Sequence, residues 1–388
     1  MERLRGMRST RRGRLVELDF VRGIAIIVVM GYHFHTVNTG LPAIVLIEYP
    51  LKSFGEEGVN LFFTLSGFLV GGLLLRQYAH SGTIDARRFI VRRMFRIWPA
   101  YYVLILFHVI VGRHPLDSFL WQNLTNLQNY YGSSIAQTWS LAIEEHFYLL
   151  LPALLLLFAR WRLKANAIIA VLLVLCGVVL VARSVAVAHG ELEPAFEYTQ
   201  YRLDSLMLGV LLATLYWMKP DVYRRIAERT GLLVLTLILL CVWVVYGMNH
   251  ILLSESIGFT LQAIGFCALI VFVLEHSSFV SATWIYRGVA WVGLYSYGIY
   301  LWHSLALAPG DFLIHYGTAL ALPPVLVWTV ALAAQFAIAI ALGYLMTRIV
   351  EYPFMRLRDV WFPDRRAAAV PTTETVETVA SPQAGTNA

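Results

Sequence analysis

Residues 231–248, GLLVLTLILLCVWVVYGM, run for 18 positions without a charged side chain. About 20 mainly apolar residues are what an α-helix needs to cross the hydrocarbon core of a bilayer. Nine further runs of this kind lie at 20–37, 57–75, 97–112, 138–158, 166–187, 198–218, 255–275, 288–308 and 324–349. They define an all-α, polytopic membrane protein of about ten transmembrane helices. The third run is the weakest, because His108 and the Trp98-Pro99 pair interrupt it.

Composition points the same way. Of the 388 residues, 59% are hydrophobic and 14% charged, against about 25% charged in soluble domains, and the mean hydropathy is +0.65. The net charge of +6 comes from Arg residues between apolar runs, so it speaks of orientation and not of nucleic acid. Of the 30 Lys and Arg, twenty-five fall at the two ends and in alternate loops, while the opposite loops hold Lys52, Arg113 and Arg183. The remaining two, Arg22 and Arg202, lie at or inside helix ends. Positive charge collects on the cytoplasmic side, so both termini are expected there. The resulting organisation is a basic N-terminal segment over 1–18, a transmembrane domain over 19–360 and a disordered cytoplasmic tail over 361–388. The first run reads as a retained helix and not a signal peptide, since no small-residue cleavage site follows and Arg22, His33 and His35 interrupt it. Cys176, Cys241 and Cys267 lie in apolar runs without metal-ligand spacing and read as packing residues, so no metal site is indicated.

Ionisable groups at membrane depth are costly and usually face the bundle interior for a purpose. Arg22 and His33 are eleven positions apart, which places them within about 20° of each other around a helix and roughly 16 Å apart along it. His35 falls about 220° from Arg22, on another face. The fourth run begins Trp139-Ser140-Leu141-Ala142-Ile143-Glu144-Glu145-His146. Glu144 then lies roughly 7 Å below Trp139, at a depth comparable to that of His33, with Glu145 turned about 100° away. A purely structural Glu144 would find a partner in Arg202. The sixth run opens on Arg202 and Asp204, and the ninth carries Ser296, Tyr297, Tyr300 and His303, of which Ser296, Tyr300 and His303 share a face. Four helices thus bring His, Glu, Arg, Asp and Tyr to a similar depth, the pattern of an active site. At the opposite end Arg93 and Arg96 have i, i+3 spacing, suited to gripping phosphate oxygens, although positive-inside anchoring alone also accounts for a basic loop there.

Several segments together resemble the acyltransferase 3 family. They are Arg22 and His33 with ten residues between, Gly58-Val59-Asn60-Leu61-Phe62-Phe63-Thr64-Leu65-Ser66-Gly67-Phe68, Arg93-x-x-Arg96 before Pro99, Trp139 to Tyr148, Arg202 with Asp204, Ser296 to His303, and Glu351-Tyr352-Pro353. Members are membrane enzymes that transfer acyl groups, commonly acetyl from acetyl-CoA, to hydroxyls of glycans and some small molecules. The resemblance implies a ten-helix core, a catalytic His33, and a donor-binding role for Arg93 and Arg96 toward acyl-CoA. It also implies a place in the bacterial inner membrane, with no bound cofactor. The sequence departs from the family pattern at His146, where glutamine is usual, and at Asp19-Phe20-Val21, where Asp-Gly-Leu is common. Some members carry a C-terminal hydrolase-like domain, whereas this sequence ends soon after its tenth run, so a stand-alone form is expected.

The expected reaction moves an acyl group from cytoplasmic acyl-CoA to a hydroxyl of a glycan, a lipid-linked sugar or another hydroxylated metabolite. His33 would take the hydroxyl proton, with Glu144 orienting the imidazole or balancing its charge and Arg202, Tyr297 or Tyr300 donating to the oxyanion. Arg22, Asp204 and His303 complete the expected binding set. An acyl-His33 intermediate is the mechanistic alternative. The rival from another class is a multi-pass transporter using the same intramembrane charges, against which stand the lack of an inverted repeat and the Arg93/Arg96 pair.

Overall fold

The computed structural model describes residues 15–112, 116–132, 135–247, 250–277 and 281–362. The basic segment before position 15, Arg113 and the tail beyond 362 lie outside the described residues. What is described is almost wholly helical, as lipid requires: a bilayer core offers no water to backbone N–H and C=O groups, so each segment must satisfy its own.

The main helices are α1 (Val16–His33), α2 (Pro42–Ser53), α3 (Gly55–Ser81), α4 (Ala86–Val111), α5 (Trp139–Arg160), α6 (Ala165–Ala188) and α7 (Leu203–Met218). They continue as α8 (Thr230–Gly247), α9 (Phe259–His276), α10 (Trp284–Leu294), α11 (Ser296–Trp302), α12 (Leu307–Ala319), α13 (Pro324–Met346) and α14 (Tyr352–Trp361). Among the described residues seven helical stretches are long and apolar enough to cross a membrane, and α7 is a shorter apolar helix. The two other expected spans correspond to α1, whose first turns carry Glu17, Asp19 and Arg22, and to the α10–α11 segment. The protein is an all-α, polytopic membrane protein.

Small residues set how closely the helices approach, as is usual where lipid removes the hydrophobic drive between them. A Cβ on Gly67 of α3 would run into the carbonyl of Leu206 in α7, and one on Gly209 would run into that of Thr64. Gly23 and Gly293 join α1 to α10 in the same way.

Four boundaries differ from the sequence reading. The third run begins at Ala86, so Arg92, Arg93 and Arg96 stand on a membrane helix and not in a loop, and Pro99 is carried inside it. Proline is tolerated there because neighbouring helices can re-satisfy the freed carbonyl. The first helix ends at His33, and Phe34 is extended (φ −72°, ψ 134°), so His35 is beyond the helix and not on its other face. The ninth run is broken at Tyr295 and passes through a tight turn at His303–Ala306. Arg183, expected in an outer loop, lies inside α6 with no exposed surface.

Candidate active site

The N-terminal half of α4 and the middle of α3 bound, with α1, α5 and α11, a partly open cavity. Arg22, Arg93, Arg96, Glu144, Tyr297 and Tyr300 all line it, joined by Ser66, Ser140 and Tyr148. Six of the ten expected site residues therefore share one space. Arg93 and Arg96 are one turn apart on α4, and the Arg93 guanidinium lies 5.5 Å from the Tyr148 ring. Arg22 reaches the cavity while paired to Asp19 at 2.9 Å.

Glu144 is held by the Tyr148 hydroxyl, which donates to its Oε2 at 2.9 Å and meets Ser66 Oγ at 2.8 Å. Glu145, turned away as helical geometry requires, accepts from Trp98 Nε1 at 3.0 Å. Carboxylate and guanidiniums thus share a cavity, and Glu144 orients no imidazole.

Of the three cavity tyrosines, Tyr297 and Tyr300 use their protons on backbone. Tyr297 Oη donates to the Ile97 carbonyl at 2.9 Å, and Tyr300 Oη to the Gln137 carbonyl at 2.8 Å with Ser140 Oγ at 2.6 Å. Each phenol has one proton, so in this arrangement neither is free to donate to an oxyanion. Tyr300 lines the cavity beside Phe62 and Ser140.

Two histidines stand next to Tyr300 and outside the cavity lining. His303, with no exposed surface, lies 5.8 Å from the Tyr300 ring and 5.0 Å from the ring of His33. His33 Nδ1 is 2.9 Å from the Val29 carbonyl, and His303 Nδ1 is 2.7 Å from the Tyr300 carbonyl. A carbonyl oxygen only accepts, so each neutral ring carries its proton on Nδ1 and keeps a lone pair on Nε2. His35 points elsewhere, to exposed Asp311 at 2.7 Å.

Arg202 and Asp204 are not in the cavity. Asp204 is clamped by Arg183 through two bonds of 2.9 Å and accepts from Thr260, while Arg183 also donates to the Tyr201 and Ser256 carbonyls. Arg202 lies flat over Phe259, 3.5 Å from its centroid, and pairs with neither Glu144 nor Asp204. His146 links α5 to the turn before α7 through Thr199 Oγ1 at 2.7 Å. Ser66 and Arg183 escaped the sequence reading. Ser66 sits inside a quoted motif, and Arg183 is the one cation of the α6 run, opposite an intramembrane Asp204. Among the described residues no group of three or more His, Cys, Asp or Glu is placed to hold a metal ion.

A helical membrane bundle thus holds a cation-lined cavity with His303 and His33 next to the Tyr300 that lines it. The acyltransferase domain model, Acyl_transf_3, matches residues 15–344, and the chain belongs to the acyltransferase 3 family. Peptidoglycan O-acetyltransferase OatA of Listeria monocytogenes is 28% identical over 326 residues, covering 76% of this chain and 50% of its own. YrhL of Bacillus subtilis, provisionally named a peptidoglycan O-acetyltransferase, is 30% identical over 319 residues, covering 74% and 47%. The chain spans about half the length of these relatives. No solved structure matches.

Proposed function

We propose that this protein is an O-acetyltransferase that moves an acetyl group from acyl-CoA to a hydroxyl of a cell-wall glycan at the bacterial inner membrane. The observation that carries the reading is the meeting of Arg22, Arg93, Arg96 and Glu144 in one cavity, with Tyr300 of its lining 5.8 Å from His303 and His303 5.0 Å from His33. Guanidiniums on successive helical turns suit a diphosphate. The names of the relatives supply the glycan, and the charge sorting supplies a cytoplasmic donor side.

In this reading His33 Nε2 accepts the proton of the acceptor hydroxyl as its oxygen attacks the thioester carbonyl. The C–O ester bond forms, the C–S bond breaks, and the proton passes from His33 to the departing thiolate. General-base help is worth about 10²- to 10⁴-fold, so the guanidiniums must also stabilise developing negative charge.

The test is acetyl-CoA cleavage by the purified protein with and without Arg93→Ala and Arg96→Ala. Losing a charged hydrogen bond costs about 1.5–3 kcal/mol, so the KM for acetyl-CoA should rise by about tenfold or more per substitution. Unchanged use of CoA in both variants would return the pair to a purely topological role. For orientation, a cysteine at position 52 should be labelled from outside the cell and one at 225 should not; the reverse would overturn the donor side.

A further inference from the structure

The last turn of α1 carries the proposed base, and its end is held by another helix. An α-helix leaves its last carbonyls without intrahelical partners, and here no glycine or proline follows His33 until Gly40 to turn the chain. The partner comes from α2. Lys52, in its last turn, donates through Nζ to the Tyr32 carbonyl at 3.0 Å and to the Phe34 carbonyl at 2.5 Å. These are the residues on either side of His33. One carbonyl belongs to the helix and the other to the extended residue after it, so a single ammonium spans the point where the helix stops.

A cation with three donors suits this place twice. It bonds orphan carbonyls, and it faces the negative end of the helix dipole. Close packing keeps α2 there: a Cβ on Gly31 would press on the Leu51 side chain, and one on Gly55 on Cβ of Tyr32. Past the turn, Phe34 is buried against Phe336, and Gln335 of α13 bonds both the N–H and the carbonyl of His35. Lys52 therefore joins a packed helix end to an anchored exit segment, with His33 between them. His33 Nδ1 is itself tethered to the Val29 carbonyl, one turn back in α1. With that nitrogen held, the direction of Nε2 follows the backbone of the last turn.

We propose that Lys52 is a positioning residue for the transfer reaction, which fixes where His33 Nε2 points by capping α1. It does so from outside the cavity lining. The inference rests on the acetyltransferase reading for the part that His33 plays, whereas the cap can be measured without any reaction.

The experiment uses the full chain in nanodiscs. Lys52→Met keeps the length of the side chain and removes its donors. Lys52→Cys also removes them and, treated with bromoethylamine after purification, regains an ammonium close to the lysine position; methyl methanethiosulfonate adds instead a neutral group without donors. In Lys52→Met, hydrogen exchange read by mass spectrometry should be about tenfold or more faster in the peptide around His33, with α4 and α5 unchanged. The kcat for acetyl transfer should fall by about tenfold or more at an unchanged KM for acetyl-CoA. Aminoethylated Lys52→Cys should recover slow exchange and kcat together, and the thiomethylated protein neither. Both treatments start from one folded preparation, so a folding defect does not imitate the result, and the same reagents on the parent control for the native cysteines. Unchanged exchange overturns the cap. Faster exchange with undiminished kcat, or a kcat that aminoethylation fails to restore, overturns the positioning role. A parent that transfers no acetyl group overturns the enzymatic reading and the positioning role with it, while the exchange measurement still decides the cap.

Discussion

Two sets of buried charge divide this molecule. Between α6 and α7, Arg183 and Asp204 are both 0% exposed and spend their hydrogen-bonding capacity on each other, on Thr260 and on backbone carbonyls. In the cavity, Arg93 and Arg96 stand on successive turns with their guanidiniums toward open space. Both sets meet the cost of charge at membrane depth, one by internal pairing and the other at the wall of a partly open cavity. Charge alone therefore does not mark function; its placement at a cavity does.

The largest expected effect is on the open side. His33→Ala should lower transfer by about 10²- to 10⁴-fold with membrane expression near that of the parent, because a half-exposed imidazole bonded to one carbonyl holds little of the fold together. His35→Ala should retain most activity, since that ring meets only exposed Asp311. Radiolabelled acetyl transfer in membranes decides between them. A dispensable His33 would move the proton acceptor elsewhere, with His303 Nε2 the neighbouring lone pair.

On the paired side, activity is the wrong measurement and stability the right one. Asp204→Ala leaves the Arg183 charge buried without its partner and should destabilise the protein by about 3–5 kcal/mol, visible as lost expression or a lowered unfolding midpoint. Adding Arg183→Leu should recover a large part of that loss, because removing both charges removes the unpaired one. If Asp204→Ala folds normally and instead loses acetyl-CoA binding, the division between the two sets fails and Asp204 belongs to the donor site.

That division also sets how much the sequence could reveal. Apolar run length exposes the helices, since lipid forces each one to satisfy its own backbone, and Arg93–Arg96 spacing exposes a shared face on one helix. Spacing fixes azimuth only within an element. Arg22 and His33 do share a regular helix, yet Arg22 lines the cavity while His33 lies outside its lining, 5.0 Å from the ring of His303 on another helix. Asp204 and Glu144 look alike as intramembrane carboxylates, and what separates them is Arg183, twenty-one positions from Asp204 and on another helix. The end of α1 at His33 was equally hidden, since no proline or glycine follows until Gly40.

The smallest expected effect tests where the oxyanion finds its donors. Tyr300 lines the cavity 5.8 Å from His303, and a phenol there invites the role of oxyanion donor. Its proton, however, already goes to the Gln137 carbonyl at 2.8 Å, and Ser140 Oγ lies 2.6 Å away as a second partner. If that bond persists during the reaction, Tyr300→Phe removes one hydrogen bond worth about 1 kcal/mol and slows transfer by no more than a few fold. If instead the phenol turns to the oxyanion, the same substitution should cost about 10²- to 10³-fold in kcat. Steady-state kinetics of Tyr300→Phe, with Ser140→Ala as its companion, separates these outcomes by more than a decade. A small effect assigns the stabilising charge to the guanidiniums of the cavity; a large one shows that the tyrosine takes part in the chemistry.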